Sequence, residues 1–143
     1  MKSYKELKER QQEEINKFSF GFAFDNKQFK DMMNKWGLDE NDTNKIIRVF
    51  SGTYILKSDK TKLDSLLKRH DDELKKAMQD DGFLQSAFEY EMSNQEYIIT
   101  YNDVDVISSL GLSLKDFEND KRLLENYKIA KDRYIEEMNR LGW

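Results

Sequence analysis

The side chains with catalytic chemistry are few in this sequence. The 143 residues include no cysteine and a single histidine, His70. Thiolate nucleophiles, disulfides and cysteine–zinc sites are therefore excluded, and any Ser–His–carboxylate arrangement would have to use His70. A small enzyme or ligand-binding protein that uses His70 with a nearby carboxylate such as Glu91 is one interpretation. The other is a partly buried histidine that is hydrogen-bonded to Glu91 or to a backbone carbonyl.

Carboxylates occur close together at several places, and converging carboxylates are the ligands that Mg²⁺ and Ca²⁺ prefer. No EF-hand loop, phosphate-binding glycine loop, nucleophile elbow or H-E-x-x-H motif accompanies them. The sequence therefore predicts solvated faces and helix caps, with Asp103 as an N-cap and Glu91 in a partly buried salt bridge. We expect no catalytic residue, no cofactor and no metal. The carboxylate groups are Asp71-Asp72-Glu73, Asp80-Asp81, Glu89/Glu91, Asp103/Asp105 and Glu136-Glu137.

The most unusual charge pattern is a long segment that contains acidic but no basic residues. Between Lys76 and Lys115 there is no lysine or arginine, although seven carboxylates and several tyrosines lie there. Residues 1–76 carry 17 basic and 14 acidic residues, so their surplus cations could fold over this segment and neutralise it. Alternatively, the segment forms a negative, tyrosine-bearing face that docks on a basic partner surface. The candidate partner-binding residues are Asp80, Asp81, Glu89, Tyr90, Glu96, Tyr97, Tyr101, Asp103 and Asp105.

Direct binding of nucleic acid is not expected from this pattern. Tyr90, Tyr97 and Tyr101 could stack on bases, but lysine and arginine, which would contact the phosphates, are absent beside them. The formal net charge of −4 also differs from the basic stripe that is typical of nucleic-acid-binding proteins. The partner that fits is therefore a basic protein surface, such as that of a nucleic-acid-binding effector.

End signals and apolar periodicity predict the elements that position these residues. Helices are expected from Ser3, over 25–36, from Asp59 to Asp81, over about 83–93, from Asn102 or Asp103 to Leu110, and from Ser113 to the C-terminal region. An extended segment is expected at 18–24, a β-hairpin at 46–57 and a third strand at Tyr97–Tyr101. The fold class is therefore α+β, mostly helical around a small antiparallel sheet of about three strands.

Composition indicates one domain over residues 1–143, because no proline and no Gly/Ser-rich linker divides the chain. The N-terminal residues have no apolar signal region, and no apolar run reaches the roughly 20 residues that cross a bilayer. With no cysteine, these features predict a cytoplasmic location. The C-terminal helix carries an apolar stripe from Leu123 to Leu141, typical of intramolecular core, although pairing of this helix in an oligomerising module is a further alternative.

Four segments occur in the order FGFAFDNKQFKDMMNKWGL, YILKSD, LLKRHDDELKKAMQDDGF and FEYEMSNQEYIITYNDVDVISSLGLSL. This order resembles a family of small uncharacterised proteins from gut Firmicutes and Bacteroidetes, their phages and their mobile elements. The resemblance covers roughly residues 3–135 and includes the Tyr-Glu-x-x-Asn-x-Glu-Tyr stretch at 90–97. No activity is established for that family, so no site residue is carried over. The resemblance implies a phage-type protein that binds and inhibits a host component, for example a defence or nucleic-acid-handling complex, in the manner of an anti-CRISPR protein.

Overall fold

The computed structural model describes residues 3–143, which form a mostly helical α+β structure with one small antiparallel sheet. The predicted fold class is therefore confirmed. The helices are α1 (Tyr4–Asn16), α2 (Asn26–Lys35), α3 (Lys60–Ala77), α4 (Asp81–Asn94), α5 (Tyr97–Thr100), α6 (Asp103–Ser108), α7 (Leu114–Asn119) and α8 (Lys121–Arg140). The strands are β1 (Gly21–Phe22), β2 (Ile46–Phe50) and β3 (Thr53–Leu56).

The chain divides into two compact units. The helical unit contains the chain up to Gln11 together with Asp72–Trp143, and the sheet unit contains Gln12–Asp71. No linker composition marks this division in the sequence. One domain over residues 1–143 stays a prediction.

The sheet unit is built on a β-hairpin with one added strand. The strand order is β1-β3-β2 and both pairings are antiparallel. Gly52 has φ +69° in the turn between β2 and β3, a conformation that glycine adopts without steric cost. The predicted hairpin at 46–57 is confirmed, and the predicted extended segment at 18–24 contains β1.

Helix α2 has the end signals that its sequence predicts. The Asp25 carboxylate accepts a hydrogen bond of 2.7 Å from the Gln28 amide at the N-terminus. At the C-terminus, Gly37 has φ +70° and the Leu38 amide donates to the Met33 carbonyl at 2.8 Å. Met33 is completely buried in a small core that also contains Ala23 and Met32.

The helical unit has a larger core of its own, made by helices alone. Helix α4 packs along α8, and the Phe88 ring meets the Tyr127 ring edge-on with centroids 5.0 Å apart. Leu123, Ala130 and Tyr134 on α8 belong to the same buried cluster. The apolar stripe of the C-terminal helix is therefore intramolecular core as far as Tyr134, whereas Leu141 is exposed.

Three sequence predictions about elements are wrong. Residues 97–101 do not form a third strand, because Tyr97–Thr100 is the single-turn helix α5, and β1 is the third strand of the sheet. Helix α3 ends at Ala77 rather than Asp81, and α4 begins at Asp81 with Asp80 as its N-cap. Asp103 is not an N-cap, because Asn102 caps α6 with its side chain.

No helix among residues 3–143 combines the length and the apolar character that crossing a membrane requires.

Candidate binding surface

The candidate surface lies in the helical unit and begins at α4. The Asp80 carboxylate accepts a 2.8 Å hydrogen bond from the Phe83 amide and so fixes the start of this helix. Phe83, Leu84 and Phe88 are buried on the inner side of α4. Asp81 and Glu89 lie on the remaining faces of the helix, whereas the third carboxylate of α4, that of Glu91, is buried.

Two of the predicted surface carboxylates are neutralised by arginines of α8. Asp81 Oδ1 lies 2.6 Å from Arg122 Nε, and Glu89 Oε1 lies 2.6 Å from Arg133 Nε. Asn126, on the same helix as these arginines, donates a further 3.1 Å hydrogen bond to Asp81 Oδ1. The neutralising cations therefore come from the C-terminal helix, not only from the surplus of residues 1–76 as the sequence had indicated.

Glu91 is completely buried and fully hydrogen-bonded. Its Oε1 atom accepts from Lys8 Nζ at 2.8 Å and from the Tyr4 hydroxyl at 2.9 Å, and Asn94 lies 3.5 Å from Oε2. Burial alone would raise the pKa of Glu91, but the hydrogen bonds from Lys8 and Tyr4, together with the Lys8 charge, lower it below its ordinary value. The predicted salt bridge of Glu91 is thus present, in a more buried form than expected.

Tyr90 belongs to the same internal cluster rather than to an open face. It is half-buried, and its ring centroid lies 5.3 Å from that of Tyr4. The Lys8 ammonium lies 5.3 Å from the centroid of the Tyr90 ring, within the range of a cation–π contact. These contacts leave Tyr90 little freedom to reorganise around a partner.

A strained turn follows α4. Glu96 has φ +53° and Tyr101 has φ +50°, and they are the two non-glycine residues with positive φ within the part of the chain that the structure describes. The left-handed conformation costs a non-glycine residue about 1–2 kcal/mol. Helix α5 lies between these two residues, and the Tyr101 amide donates to the Tyr97 carbonyl at 2.8 Å. Such strain persists only where surrounding contacts enforce the conformation.

A buried network of tyrosine hydroxyl groups holds the turn in this strained conformation. Tyr97, 1% exposed, donates a 2.7 Å hydrogen bond to Asp103 Oδ1, and Tyr127 donates one of 2.5 Å to the same oxygen. The Tyr134 hydroxyl accepts a 3.0 Å hydrogen bond from the Ile98 amide. Hydrogen bonds therefore connect the buried side of the turn to α6 and α8. These tertiary contacts outweigh the strand propensity of the Tyr-Ile-Ile sequence.

The network holds its protons at neutral pH. Burial, followed by the hydrogen bonds to Asp103, raises the pKa of both Tyr97 and Tyr127 above the ordinary tyrosine value. Lys131 Nζ lies 5.6 Å from the centroid of the Tyr97 ring, and its interaction with Tyr97 raises the pKa of this lysine. The phenols are thus hydrogen-bond donors and the lysine a cation, which suits a positioning network better than acid–base catalysis.

The outer side of this turn is apolar and acidic. Ile99, Tyr101 and Val104 are 62%, 54% and 50% exposed. Glu96 and Asp105 of the same segment are also exposed, and Asp105 Oδ2 accepts a 3.0 Å hydrogen bond from the side-chain amide of Asn102. Glu96 has no side-chain hydrogen bond or ion pair to any other residue between 3 and 143. We call residues 96–105 the presented turn.

The structure thus separates the nine predicted partner-binding residues into two groups. The first group has internal partners on or near α4 and comprises Asp80, Asp81, Glu89 and Tyr90. The second group lies in the presented turn, with Tyr97 and Asp103 inside it and with Glu96, Tyr101 and Asp105 at its surface. Binding of a partner by these residues stays a prediction.

Sequence reasoning missed the apolar half of this surface. The sequence places Ile99 in an expected strand and Val104 in an expected short helix, but isolated apolar residues do not indicate which side chains remain exposed. Arg122 and Arg133 were also missed as neutralising groups, because they lie about 40 residues from their carboxylate partners. No local signal in the sequence predicts either feature.

His70 lies in the sheet unit and is buried. Its Nε2 atom is 3.4 Å from Glu14 Oε2, and the Arg69 guanidinium also binds this carboxylate. His70 is therefore buried and hydrogen-bonded, as one of the two interpretations of the sequence expected, and a partner is Glu14, which the sequence did not indicate. His70 thus lies beside the ion pair of Glu14 and Arg69.

Comparison with known proteins places the chain in a family. A family of unknown function (DUF7659) matches residues 3–133, so the chain belongs to this family. The match agrees with the resemblance to an uncharacterised family over almost the same residues. No curated protein and no solved structure matches the chain.

Proposed function

We propose that this protein is a non-enzymatic binding protein that docks the presented turn on a partner protein. The observation that carries this proposal is the pair of strained, non-glycine residues, Glu96 and Tyr101, around an exposed apolar turn that is anchored from inside. Strained backbone that is held in place by its surroundings is concentrated at functional sites. A solvent-exposed apolar cluster bordered by polar side chains is typical of interaction sites.

The ordered conformation of the turn supports a role in binding. The hydrogen bonds of Tyr97 and Tyr127 to Asp103, and of Ile98 to Tyr134, fix the backbone before any partner arrives. A surface that is already ordered loses less conformational entropy on association. Ile99 and Val104 would therefore act as anchors on a rigid support.

Charge defines the partner. No lysine or arginine lies in the sequence from 77 to 114, and Glu96 and Asp105 are exposed at the edge of the apolar cluster. The complementary surface is an apolar socket bordered by lysine or arginine side chains. Because Asp81 and Glu89 are already paired, this acidic contribution is smaller than the sequence indicated and is concentrated at the presented turn.

The resemblance to small phage and mobile-element proteins extends the proposal. Small acidic proteins of that type without enzyme motifs often act by binding and blocking a host component. We therefore extend the proposed role to inhibition of a cytoplasmic defence or nucleic-acid-handling complex, in which the presented turn occupies a basic groove of the effector. In this role the protein would bind the effector protein itself and not nucleic acid.

The test compares variants of the turn with a matched variant elsewhere. Immobilised wild-type protein and the Ile99→Ser/Val104→Ser and Leu124→Ser variants are used to capture binding partners from a bacterial lysate, and captured proteins are quantified by mass spectrometry. Leu124 is exposed on α8, outside the presented turn, and serves as the control. We expect a partner that Leu124→Ser retains and Ile99→Ser/Val104→Ser loses by about tenfold or more. Equal capture by both variants, with unchanged circular dichroism, would contradict the proposal.

Two alternative functions have less support. An enzyme or ligand-binding protein that uses His70 with a carboxylate such as Glu91 would need that carboxylate to be accessible, whereas Glu91 is completely buried with both oxygens bonded and the carboxylate beside His70 is that of Glu14. An oligomerising module built on α8 would need its apolar stripe, whereas Leu123, Tyr127 and Tyr134 are core residues of the helical unit. For His70, a His70→Gln variant that keeps both its fold and any activity measured for the wild type would exclude catalysis by this residue.

A further inference from the structure

The sheet unit contains a cleft between strand β1 and helix α2 that the proposed function does not use. We propose that this cleft binds a free guanine nucleotide. Its volume is about 310 Å³, which is at the lower end of the range for small-molecule sites in proteins. All the residues that line it belong to Gln12–Asp71, whereas the presented turn belongs to the helical unit. The proposal is therefore independent of the proposed function.

Three aromatic rings line the cleft. They belong to Phe20, Phe22 and Trp36, and the centroids of the two phenylalanine rings are 6.4 Å apart. Phe22 is 60% exposed, and Phe20 and Trp36 are half-buried. Accessible aromatic rings bind nucleotide bases by stacking, because every base has a flat π-face. The rings of this cleft therefore suit a planar heterocycle.

Gly21 allows the Trp36 ring to pack closely against β1. A β-carbon at Gly21 would lie 2.6 Å from the Met32 sulfur and 2.6 Å from Trp36 Cη2, so a larger residue would displace both side chains. The Trp36 amide donates to the Met33 carbonyl at 3.1 Å, and the Trp36 side chain packs on the small core that contains Met33. The ring is thus held in place before a ligand binds, which lowers the entropy lost on binding.

Helix α2 supplies the polar groups of the cleft. Gln28, Asp31 and Lys35 follow one another at helical spacings of three and four residues, so they lie on one face of α2. With a rise of 1.5 Å per residue, Asp31 lies roughly 4.5 Å along the helix axis from Gln28, and Lys35 roughly 6 Å beyond Asp31. The cleft therefore presents a side-chain amide, a carboxylate and an ammonium group in that order.

These three groups can each bind a ligand. Gln28 Oε1 accepts a 2.8 Å hydrogen bond from the Phe24 amide, which leaves the NH₂ group of Gln28 as a donor. Asp31 and Lys35 are exposed, and neither forms an ion pair or a side-chain hydrogen bond with another residue between 3 and 143. Asp and Lys four residues apart on a helix commonly pair with each other. Since these two do not, the carboxylate and the ammonium group are both available to a ligand.

A guanine nucleotide matches the order of these groups. The Watson–Crick edge of guanine carries the O6 acceptor, then the N1–H and N2–H donors. O6 would accept from Gln28, the two donors would bind the Asp31 carboxylate, and a phosphate on the ribose would lie at the exposed Lys35. Adenine has an acceptor at N1, so the same carboxylate would face a lone pair. Asp31 therefore selects guanine over adenine, and Lys35 selects a nucleotide over a nucleoside.

The test titrates GMP, AMP, guanosine and inorganic phosphate into the full-length protein, followed by calorimetry and tryptophan fluorescence. Trp36 and Trp143 are the two tryptophans of the chain. Trp143 is exposed and lies outside the cleft, so a Trp143→Phe background makes the emission report on Trp36 alone. We expect GMP to quench this emission and to bind about tenfold or more tightly than AMP.

Variants of α2 separate base recognition from phosphate recognition. Asp31→Asn should remove the preference for GMP over AMP. Lys35→Met should weaken the binding of GMP by about tenfold and leave the binding of guanosine unchanged, because guanosine has no phosphate. Lys27→Met is the matched control, since Lys27 is an exposed lysine of the same helix that does not line the cleft, and it should leave both affinities unchanged.

Four results would overturn the proposal. Equal affinities for GMP and AMP would exclude recognition of guanine by Asp31. Binding of GMP without a change in the Trp36 emission would show that the nucleotide binds outside the cleft. Inorganic phosphate that binds as tightly as GMP would show that the base contributes nothing to the affinity. A folded protein that binds none of the four probes would exclude the site altogether.

Discussion

The most specific prediction about stability concerns the buried Glu91 carboxylate and its ion pair with Lys8. In the Lys8→Met variant, the carboxylate would stay buried but lose the Lys8 ammonium, while the hydrogen bonds from Tyr4 and Asn94 remain. Removing one partner of a buried ion pair costs about 3–5 kcal/mol. Because the Lys8 side chain is 45% exposed, we expect the lower end, about 3 kcal/mol, in the free energy of unfolding at neutral pH.

The pH dependence identifies the cause of this loss. In the wild-type protein the folded-state pKa of Glu91 is lowered, so its contribution to stability is present above the unfolded-state pKa and is lost as the pH falls through the folded-state pKa. In Lys8→Met, burial would dominate and raise this pKa, so protonation on acidification would stabilise the variant. The difference between the two proteins should therefore shrink as the pH falls towards 4, on the order of the ordinary carboxyl pKa.

Urea unfolding followed by circular dichroism, at a series of pH values, measures this difference. Lys5→Met is the matched control, since Lys5 is an exposed lysine of the same helix and lies 4.0 Å from Glu9. It should cost less than about 0.5 kcal/mol. The double variant Lys8→Met/Glu91→Gln should recover part of the loss. If Lys8→Met and Lys5→Met lose the same stability at neutral pH, the role assigned to Glu91 is wrong.

Further substitutions test the turn and the sheet by urea unfolding. Glu96→Gly should stabilise the protein by up to about 1 kcal/mol, since glycine relieves the strain at φ +53°; a loss of stability would show that the residue is not strained. Tyr127→Phe should cost about 2 kcal/mol, because Asp103 loses a charged hydrogen bond, and a neutral effect would argue against the phenol network. Gly21→Ala should cost about 1–3 kcal/mol, because its β-carbon would crowd the Met32 sulfur; unchanged stability would mean that the core relaxes freely.

Local end signals could be read from the sequence because they act within a few residues. Ser3 accepts a hydrogen bond from the Glu6 amide, and Ser113 forms a capping box with Asp116. Gly37 ends α2 in the left-handed conformation that its sequence predicts. In each case the donor, the acceptor and the backbone conformation belong to the same short segment, so no knowledge of the rest of the fold is needed.

The candidate surface could be read only in part, because it depends on contacts between distant residues. The segment without basic residues was identified, but its charge balance is set by Arg122 and Arg133 on α8. Alternation over Tyr97–Tyr101 predicts a strand, whereas the hydrogen bonds from Tyr97 to Asp103 and from the Ile98 amide to Tyr134 hold this segment in a helical turn. Tertiary partners of this kind leave no local pattern in the sequence.

The dependence of partner binding on the charge of the presented turn tests the central claim most directly. The affinity of the captured partner is measured at low and high salt for the wild type, for Glu96→Lys and for Glu125→Lys, a charge reversal on α8 outside the turn. We predict an affinity that falls with salt, falls about tenfold with Glu96→Lys and changes little with Glu125→Lys. Binding that is unaffected by salt and by Glu96→Lys would contradict the account.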